Sequence, residues 1–452
     1  MAYVDYKDRR LHTTKFERLI DTGARRGPER AYLVAVDSVS ADSVWSVEDS
    51  LSELGALAQT AGAEVIGTMQ QRLSHPDPAT YLGKGRAQEL SDAVKQFNCD
   101  LAIFDDELSP TQLRHLEKLL EIRVIDRTAL ILDIFAQHAR THEGILQVEL
   151  AQLEYRLPRL SGQDADLTRQ GGGSRGAMGG VGGAIGVRGP GETKLEIDRR
   201  RIRGRISELK EGIEDVRKQR AIHRRQRAAQ AMPVIAVVGY TNAGKSTLFN
   251  TLTEAGVLAE DKLFATLDPV TRHIDLPNHQ EILMTDTVGF IQKLPTKLVA
   301  AFRATLEEVI EADMLLEVVD VSHENAIEQS ETVTEILGSL RALDKPRITA
   351  LNKMDLIDDP DEIDSSLYPN AVVVSALKNQ GLDALMTKVA EVWAESMECV
   401  DVLIPYRKGD LVELFHRRGK LDQEEHLADG VHIVGRIPRA LRGYFLNYPF
   451  PA

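Results

Sequence analysis

VIAVVGYTNAGKSTLFNTL, residues 234–252, is the stretch whose reading decides the fold of this 452-residue chain. VIAVV is a short continuous apolar run, the pattern of a strand buried on both faces. TLFNTL begins an amphipathic helix. Between them lies GYTNAGKS, a GxxxxGK[ST] loop in the strand–loop–helix setting that a phosphate cradle requires. Glycines there let backbone amides converge on an anion at a helix N-terminus. The whole loop is therefore a candidate nucleotide contact: Gly239, Tyr240, Thr241, Asn242, Ala243, Gly244, Lys245, Ser246 and Thr247. Lys245 is expected on the β- and γ-phosphate oxygens and Ser246 on Mg2+.

Working outward, companion motifs follow in the order such a site needs. EILMT runs into DTVGF, residues 286–290. There Asp286 suits a metal-binding acid and Gly289 can offer its amide to a γ-phosphate. FATLDPVTR, residues 264–272, lies between loop and acid, where a first switch belongs. Phe264 is a candidate nucleotide contact. Thr266 is the expected hydroxyl for Mg2+ and γ-phosphate, with Thr271 and Thr251 as alternatives. RITAL precedes NKMD, in which Asn352, Lys353 and Asp355 are candidate base contacts. Asp355 can accept from guanine N1 and the 2-amino group, which adenine does not match. After VVV, Ser375 and Ala376 supply the last contact, an amide for guanine O6. The set predicts a guanine-nucleotide site with Ser246, Thr266 and Asp286 around the metal, and Lys245, Thr266, Gly289 and Asn242 as the catalytic group. Phe290 occupies the place of a water-orienting glutamine and cannot position water, so intrinsic hydrolysis is expected to be slow. Asn242, in GxxNxGKS, is a candidate to hold K+ against the phosphates.

The rest of the chain reads as three further segments. Residues 1–127 alternate apolar runs (31–36, 64–69, 101–104, 123–125) with helical patterns at 47–60 and 87–97 and at SPTQLRHLEKLLE, where Ser109 is an N-cap and Pro110 the first helical residue. Strand–helix alternation predicts a parallel α/β domain. It carries no catalytic constellation: the GKG at 83–85 reads as a turn, and Asp105, Asp106 and Glu107 as a solvated loop. Residues 128–231 change character. Leu146, Leu150, Leu153 and Leu157 make one apolar seam, and Ile202, Ile206, Leu209, Ile213 and Val216 another. Two seams joined by one connection predict an antiparallel helical hairpin, with the seams as core. Residues 397–452 read as a small α+β unit of strand, helix and strand. The cluster His416, Arg417 and Arg418 at its helix end is a structural match to the dipole. Residues 232–396 hold the nucleotide site, so the fold class is α/β and multidomain.

The hairpin's connection, GGGSRGAMGGVGGAIGVRGPG at 171–191, has eleven glycines in twenty-one residues. Residues 159–227 carry seventeen Lys plus Arg against nine Asp plus Glu, a local excess of eight in a chain of net charge −14. Arginine forks onto phosphate and glycine allows close backbone approach. No aromatic residue lies between Leu157 and Pro233. The limb therefore predicts shape- and phosphate-reading contact with RNA through Arg169, Arg175, Arg188, Arg199, Arg200, Arg201, Arg203 and Arg205. The chain has two isolated cysteines, Cys99 and Cys399, and no run of eighteen apolar residues, and it starts with the charged MAYVDYKDRR. These argue against a disulfide framework, a membrane span and a secretory signal. A cytoplasmic protein is expected, able to associate peripherally with ribosomes or membrane.

The chain resembles the HflX family of translational GTPases, in the Obg–HflX group. The resemblance rests on GYTNAGKS, FATLDPVTR, DTVGFI, NKMD and SAL, and more specifically on YLGKGR (81–86), VIDRTALILDIFAQHA (124–139), QVELAQLEYRLPRL (147–160) and RGPGETKLEIDRRRI (188–202). It covers about 31–382, and the last segment is less diagnostic. It implies GTP and GDP as ligands, and GTP-dependent binding to the 50S subunit and its 23S rRNA. It also implies splitting or rescue of 70S ribosomes stalled under stress, with the glycine loop near the peptidyl-transferase centre. A monomer is expected. An assembly GTPase for the large subunit, and a non-ribosomal switch with an RNA-binding arm, are the rival readings.

Overall fold

In a computed structural model the described residues are 27–38, 45–162, 190–229, 232–253, 263–264, 266–278, 280–293, 303–359, 363–438 and 441–450. The chain divides into two compact units, Met1–Gln137 and His138–Ala452. The break falls ten residues beyond the expected 127/128 boundary.

The first unit is a parallel four-stranded sheet, order β2-β1-β3-β4, built from β1 (Glu29–Ser38), β2 (Ala63–Leu73), β3 (Leu101–Phe104) and β4 (Arg123–Asp126). The helices are α1 (Val47–Thr60), α2 (Lys84–Gln96), α3 (Pro110–Leu120) and α4 (Arg127–His138). Their starts follow capping chemistry. The Ser46 hydroxyl accepts from the Asp49 amide, and Ser109 with Gln112 forms a full capping box ahead of Pro110. Gly83 is the N-cap of α2, so the GKG opens a helix rather than forming a turn.

Two expectations fail in this unit for one reason. Arg127 is 1% exposed at the start of α4, where it pairs with Asp105 at 3.0 Å and with Glu53. Asp105 also accepts from Ser50 at 2.7 Å, and Asp106 accepts from the Tyr81 hydroxyl. Asp105 and Asp106 are therefore tied into the packing, not a solvated loop. The same pairing holds α4 to this unit, with Leu130, Ile131, Leu132 and Ile134 fully buried.

In the second unit α5 (His142–Arg156) lies against α6 (Pro190–Ala229). Glu143 pairs with Arg220 and Glu149 with Arg205, at 2.8 and 2.7 Å, so the helices run in opposite directions. Of the expected seams only Leu150 and Leu209 are buried; Leu146, Leu153, Leu157, Ile202, Ile206, Ile213 and Val216 are half-buried. Two helices without a third layer can cover only the line where they touch. The loop at 171–191 lies outside the residues whose side chains are described, and so do Arg169, Arg175 and Arg188.

A six-stranded sheet follows, order β10-β9-β8-β5-β7-β6. Its strands are β5 (Val234–Gly239), β6 (Val270–Asp275), β7 (Glu281–Asp286), β8 (Met314–Asp320), β9 (Arg347–Asn352) and β10 (Ala371–Val373). All neighbours are parallel except β6 and β7, which form an antiparallel hairpin. The helices are α7 (Lys245–Thr253), α8 (Arg303–Glu311), α9 (Ala326–Ser339) and α10 (Leu382–Ser396). Ile235, Val237, Met284, Leu316, Val318 and Ile348 are buried within one core.

The chain closes with an antiparallel sheet, β11 (Glu398–Ile404), β12 (Lys420–Leu427) and β13 (Gly430–Ile437), in the order β11-β13-β12 and packed under α11 (Gly409–Arg418). Strand β12, KLDQEEHL, went unread in the sequence because an edge strand with both faces polar shows no apolar alternation. This sheet grips the turn of the β6–β7 hairpin. Gln280, 7% exposed, donates to the Gly419 carbonyl at 2.9 Å, and the Arg418 guanidinium reaches Glu281 at 3.4 Å. Arg418 is thus structural, as is His416, which pairs with Glu424 at 3.0 Å. Among the described residues no helix is long and apolar enough to cross a membrane.

Candidate functional site

The carboxyl ends of β5, β7, β8 and β9 meet where the strand order reverses, the usual crevice of an open α/β sheet. The 239–246 loop leaves β5 there and turns into α7. Two of its glycines are required sterically. Gly239 has φ +143°, and a Cβ would lie 2.3 Å from the Val318 carbonyl oxygen. Gly244 has φ +93°, and a Cβ would lie 2.3 Å from Asn352 Nδ2. Asn352 crosses over that glycine, donating to the Ala243 carbonyl at 2.9 Å and accepting from the Ala376 amide at 3.0 Å. Phosphate loop and base-recognition loop are thereby fixed to each other. The Ser375 hydroxyl donates to Asp355 Oδ1 at 2.5 Å and orients that carboxylate, while Lys353 Nζ pairs with Asp320 at 2.7 Å. The Ala376 amide, expected to face guanine O6, is engaged by Asn352.

Lys245 is buried, and its ammonium donates to the Tyr240 carbonyl at 2.6 Å. Burial pulls its pKa down to about 8, opposed by the nearby Asp286 charge. Asp286 is fully buried, and burial raises its pKa against the stabilising bonds from Ser246 and the charge of Lys245. Ser246 Oγ is 2.8 Å and Thr266 Oγ1 3.0 Å from Asp286 Oδ2, and the two hydroxyls are 2.7 Å apart. Asp286 Oδ1 is buried with no hydrogen-bond partner. One bare carboxylate oxygen beside two hydroxyls is a donor set of hard oxygens that fits Mg2+. The alternatives to Thr266 are occupied elsewhere. Thr271 bonds Thr285 at 2.9 Å, and Thr251 donates to the Thr247 and Ala376 carbonyls.

The 286–290 segment is zipped to the phosphate loop: the Thr241 amide donates to the Phe290 carbonyl at 2.8 Å, and the Phe290 amide to the Gly239 carbonyl at 3.0 Å. A Cβ on Gly289 would lie 2.9 Å from Lys245 Nζ and from Thr241 Cα and Cγ2, so only glycine fits between them. The Phe290 side chain is 1% exposed and belongs to the core. Tyr240 is buried, its hydroxyl accepting from the Gln292 amide at 2.9 Å, and Phe264 is buried at φ +60°. Both side chains are structural, leaving any nucleotide contact to their backbones. Asn242 sits exposed at the rim with φ +61°, a conformation asparagine tolerates. Of the described arm arginines, Arg200, Arg201 and Arg203 are exposed and Arg199 is half-buried. Arg205 instead forks onto Glu149 at 2.7 and 2.9 Å, a hairpin contact rather than a free phosphate ligand.

Sequence reading passed over Asp268. Two residues beyond Thr266, its carboxylate accepts from the Arg140 amide at 3.0 Å, the Thr141 amide at 2.9 Å and the Thr141 hydroxyl. Thr141 is the N-cap of α5. Arg217 pairs with Glu307, and Arg220 bridges Glu143 and Glu308, so α8 holds the other side of the arm. The one available signal was Thr141 standing just before a helix.

A phosphate loop, a hard-oxygen metal set and an Asp355-based guanine site on this sheet define a P-loop GTPase. Family models described as GTP-binding GTPase N-terminal, GTP-binding GTPase middle region and 50S ribosome-binding GTPase match residues 48–136, 138–227 and 234–353. The chain is 45% identical over 423 residues to the GTPase HflX of Caldanaerobacter subterraneus subsp. tengcongensis, covering 94% of each chain. It is 42% identical to the GTPase HflX of Escherichia coli strain K12, covering 86% of this chain and 90% of that one. The chain belongs to the HflX family of GTPases. Among solved structures, a GTP-binding protein from Sulfolobus solfataricus in complex with GDP is 25% identical. That match covers 81% of this chain and 99% of the other, with a TM-score of 0.41.

Proposed function

We propose that this GTPase binds the large (50S) ribosomal subunit in its GTP form and dissociates or rescues stalled 70S ribosomes under stress, with hydrolysis resetting it. The observation that carries the reading is the segment 266–268. Thr266 meets the metal-site groups Ser246 and Asp286, and two residues on Asp268 caps the first helix of the basic arm. A γ-phosphate sensor and an arm latch separated by one residue give the nucleotide a direct hold on the limb suited to rRNA. The family description of the 234–353 region, a 50S ribosome-binding GTPase, supports the same target.

In this reading Lys245 lies on the β- and γ-phosphates, Ser246, Thr266 and Asp286 hold Mg2+, and Asp355 selects guanine. When bound, the ion neutralises charge that builds on the phosphate oxygens. Asn242 at the cradle rim holds a K+ ion that serves as a fixed positive charge. Thr266 and Gly289 close on the γ-phosphate and set Asp268 against Arg140 and Thr141. Arg200, Arg201 and Arg203, with the 171–191 loop, then meet 23S rRNA. Binding energy of the GTP form drives subunit separation, and hydrolysis releases the factor. The protein acts as a cytoplasmic monomer.

Co-sedimentation with purified 70S ribosomes tests this. With a non-hydrolysable GTP analogue, the protein should ride with 50S particles while the 70S peak falls; with GDP it should stay at the top. Preference for immature 50S particles would instead favour a role in subunit assembly. The cation is tested separately: equal stimulated rates in K+ and Na+ would remove it from the scheme.

A further inference from the structure

The HflX-family GTPase reaction needs its attacking water held, yet the Phe290 side chain is sealed in the core. Another polar atom stands at the same place. Thr241 is 5% exposed, and its Oγ1 is buried with no hydrogen-bond partner. A buried hydroxyl left without a partner costs about 1–3 kcal/mol, so its retention at a site calls for a partner that arrives with the ligand. Its surroundings point to that partner. Thr241 belongs to the phosphate loop, its amide locked onto the Phe290 carbonyl at 2.8 Å. Across the loop stand Gly289 and Lys245 Nζ, close enough that a Cβ on Gly289 would touch both Lys245 Nζ and Thr241 Cγ2 at 2.9 Å. The hydroxyl therefore lies in the rim of the cradle that receives the γ-phosphate, opposite the glycine whose amide faces it.

We propose that Thr241 is a catalytic residue for GTP hydrolysis, its hydroxyl bridging the attacking water and a γ-phosphate oxygen. A threonine hydroxyl offers one donor and two acceptor lone pairs. Its proton goes to a γ-phosphate oxygen, and a lone pair accepts from the water. The water oxygen forms a bond to the γ-phosphorus as the bond to the β,γ-bridging oxygen breaks. That oxygen stays with GDP and the water's proton ends on the released phosphate. The hydroxyl is regenerated unchanged, so the role is positioning through contact with the reacting atoms. The inference rests on the GTPase reaction alone and stands whether or not the ribosome is the partner.

Thr241→Val keeps the shape and the Cγ2 contact with Gly289 while removing the hydroxyl, and Thr241→Ser restores the hydroxyl. Single-turnover GTP hydrolysis and GDP affinity are measured on both variants of the full chain, without ribosomes. The valine variant should lose roughly tenfold to a hundredfold in the hydrolysis rate, the range of one hydrogen bond to a charged group, with GDP affinity within about twofold of the parent. The serine variant should recover most of the rate. Hydrolysis by the valine variant at the parent rate overturns the proposal. So does a loss shared by the serine variant, or one matched by lost GDP affinity, each marking a packing role. Ribosome binding by the parent is measured alongside, so that a failed ribosome reading is seen apart from a failed Thr241 reading.

Discussion

The two parallel sheets make a controlled comparison. Each presents a carboxylate at the carboxyl end of a central strand, Asp105 on the first unit and Asp286 on the second. Asp105 is closed off by its own chain, with Arg127 on one oxygen and Ser50 on the other. Asp126 is likewise used up by the Leu108 and Ala129 amides. Asp286 has two hydroxyls on one oxygen and nothing on the other, with a lysine of lowered pKa beside it. Burial alone therefore does not mark a site. A buried charge whose hydrogen bonds all close internally is architecture; one left open is prepared for a ligand.

Four experiments would break or sharpen that contrast. Arg127→Ala should have the largest effect, leaving Asp105 and Glu53 buried without their cation. A loss of about 3–5 kcal/mol is expected, read as early melting of the first unit, with GDP binding by the second retained. Asp286→Asn should do the reverse. Because burial raises the pKa of Asp286, its charge costs the ligand-free fold stability that returns as pH falls. Calorimetry should therefore find the asparagine variant as stable or more stable. Its Mg2+-dependent turnover should drop about a hundredfold to a thousandfold. Third, Lys245 sheds its ammonium as pH rises through about 8. GDP affinity measured between pH 7 and 9 should fall by up to about tenfold per unit above that point, and a flat profile would contradict the assignment. Asp268→Ala should be the mildest, costing about 1 kcal/mol of stability. It should spare intrinsic hydrolysis and blunt ribosome-stimulated hydrolysis.

What the sequence disclosed divides along the same line. The nucleotide site is written in contiguous motifs because loop geometry and phosphate chemistry are local: GYTNAGKS, DTVGF and NKMD each carry their own strand. Strands β1 to β4 were readable from their apolar runs, and α3 from its Ser–Pro start. The Arg127 cluster was not, since it joins residues 50, 53, 105 and 127 from separate elements, and charged residues read as surface until their partners are known. The Asp268 latch was missed for the same reason, its partners lying 127 and 128 positions away. The seams were read as fully buried because apolar periodicity counts residues facing a partner without counting how many partners there are.

The grip of the C-terminal sheet on the β6–β7 turn gives that hairpin a fulcrum. With Gln280 and Glu281 anchored to Gly419 and Arg418, β6 cannot slide along β7 and can only tilt about its far end. A six-residue strand is a lever about 20 Å long, and a ten-degree tilt swings its free tip about 3.5 Å. Asp268 rides just beyond that tip. Such a swing exceeds what its bonds to Arg140 and Thr141 can stretch, so a rotation too small to disturb the sheet is enough to let go of the arm.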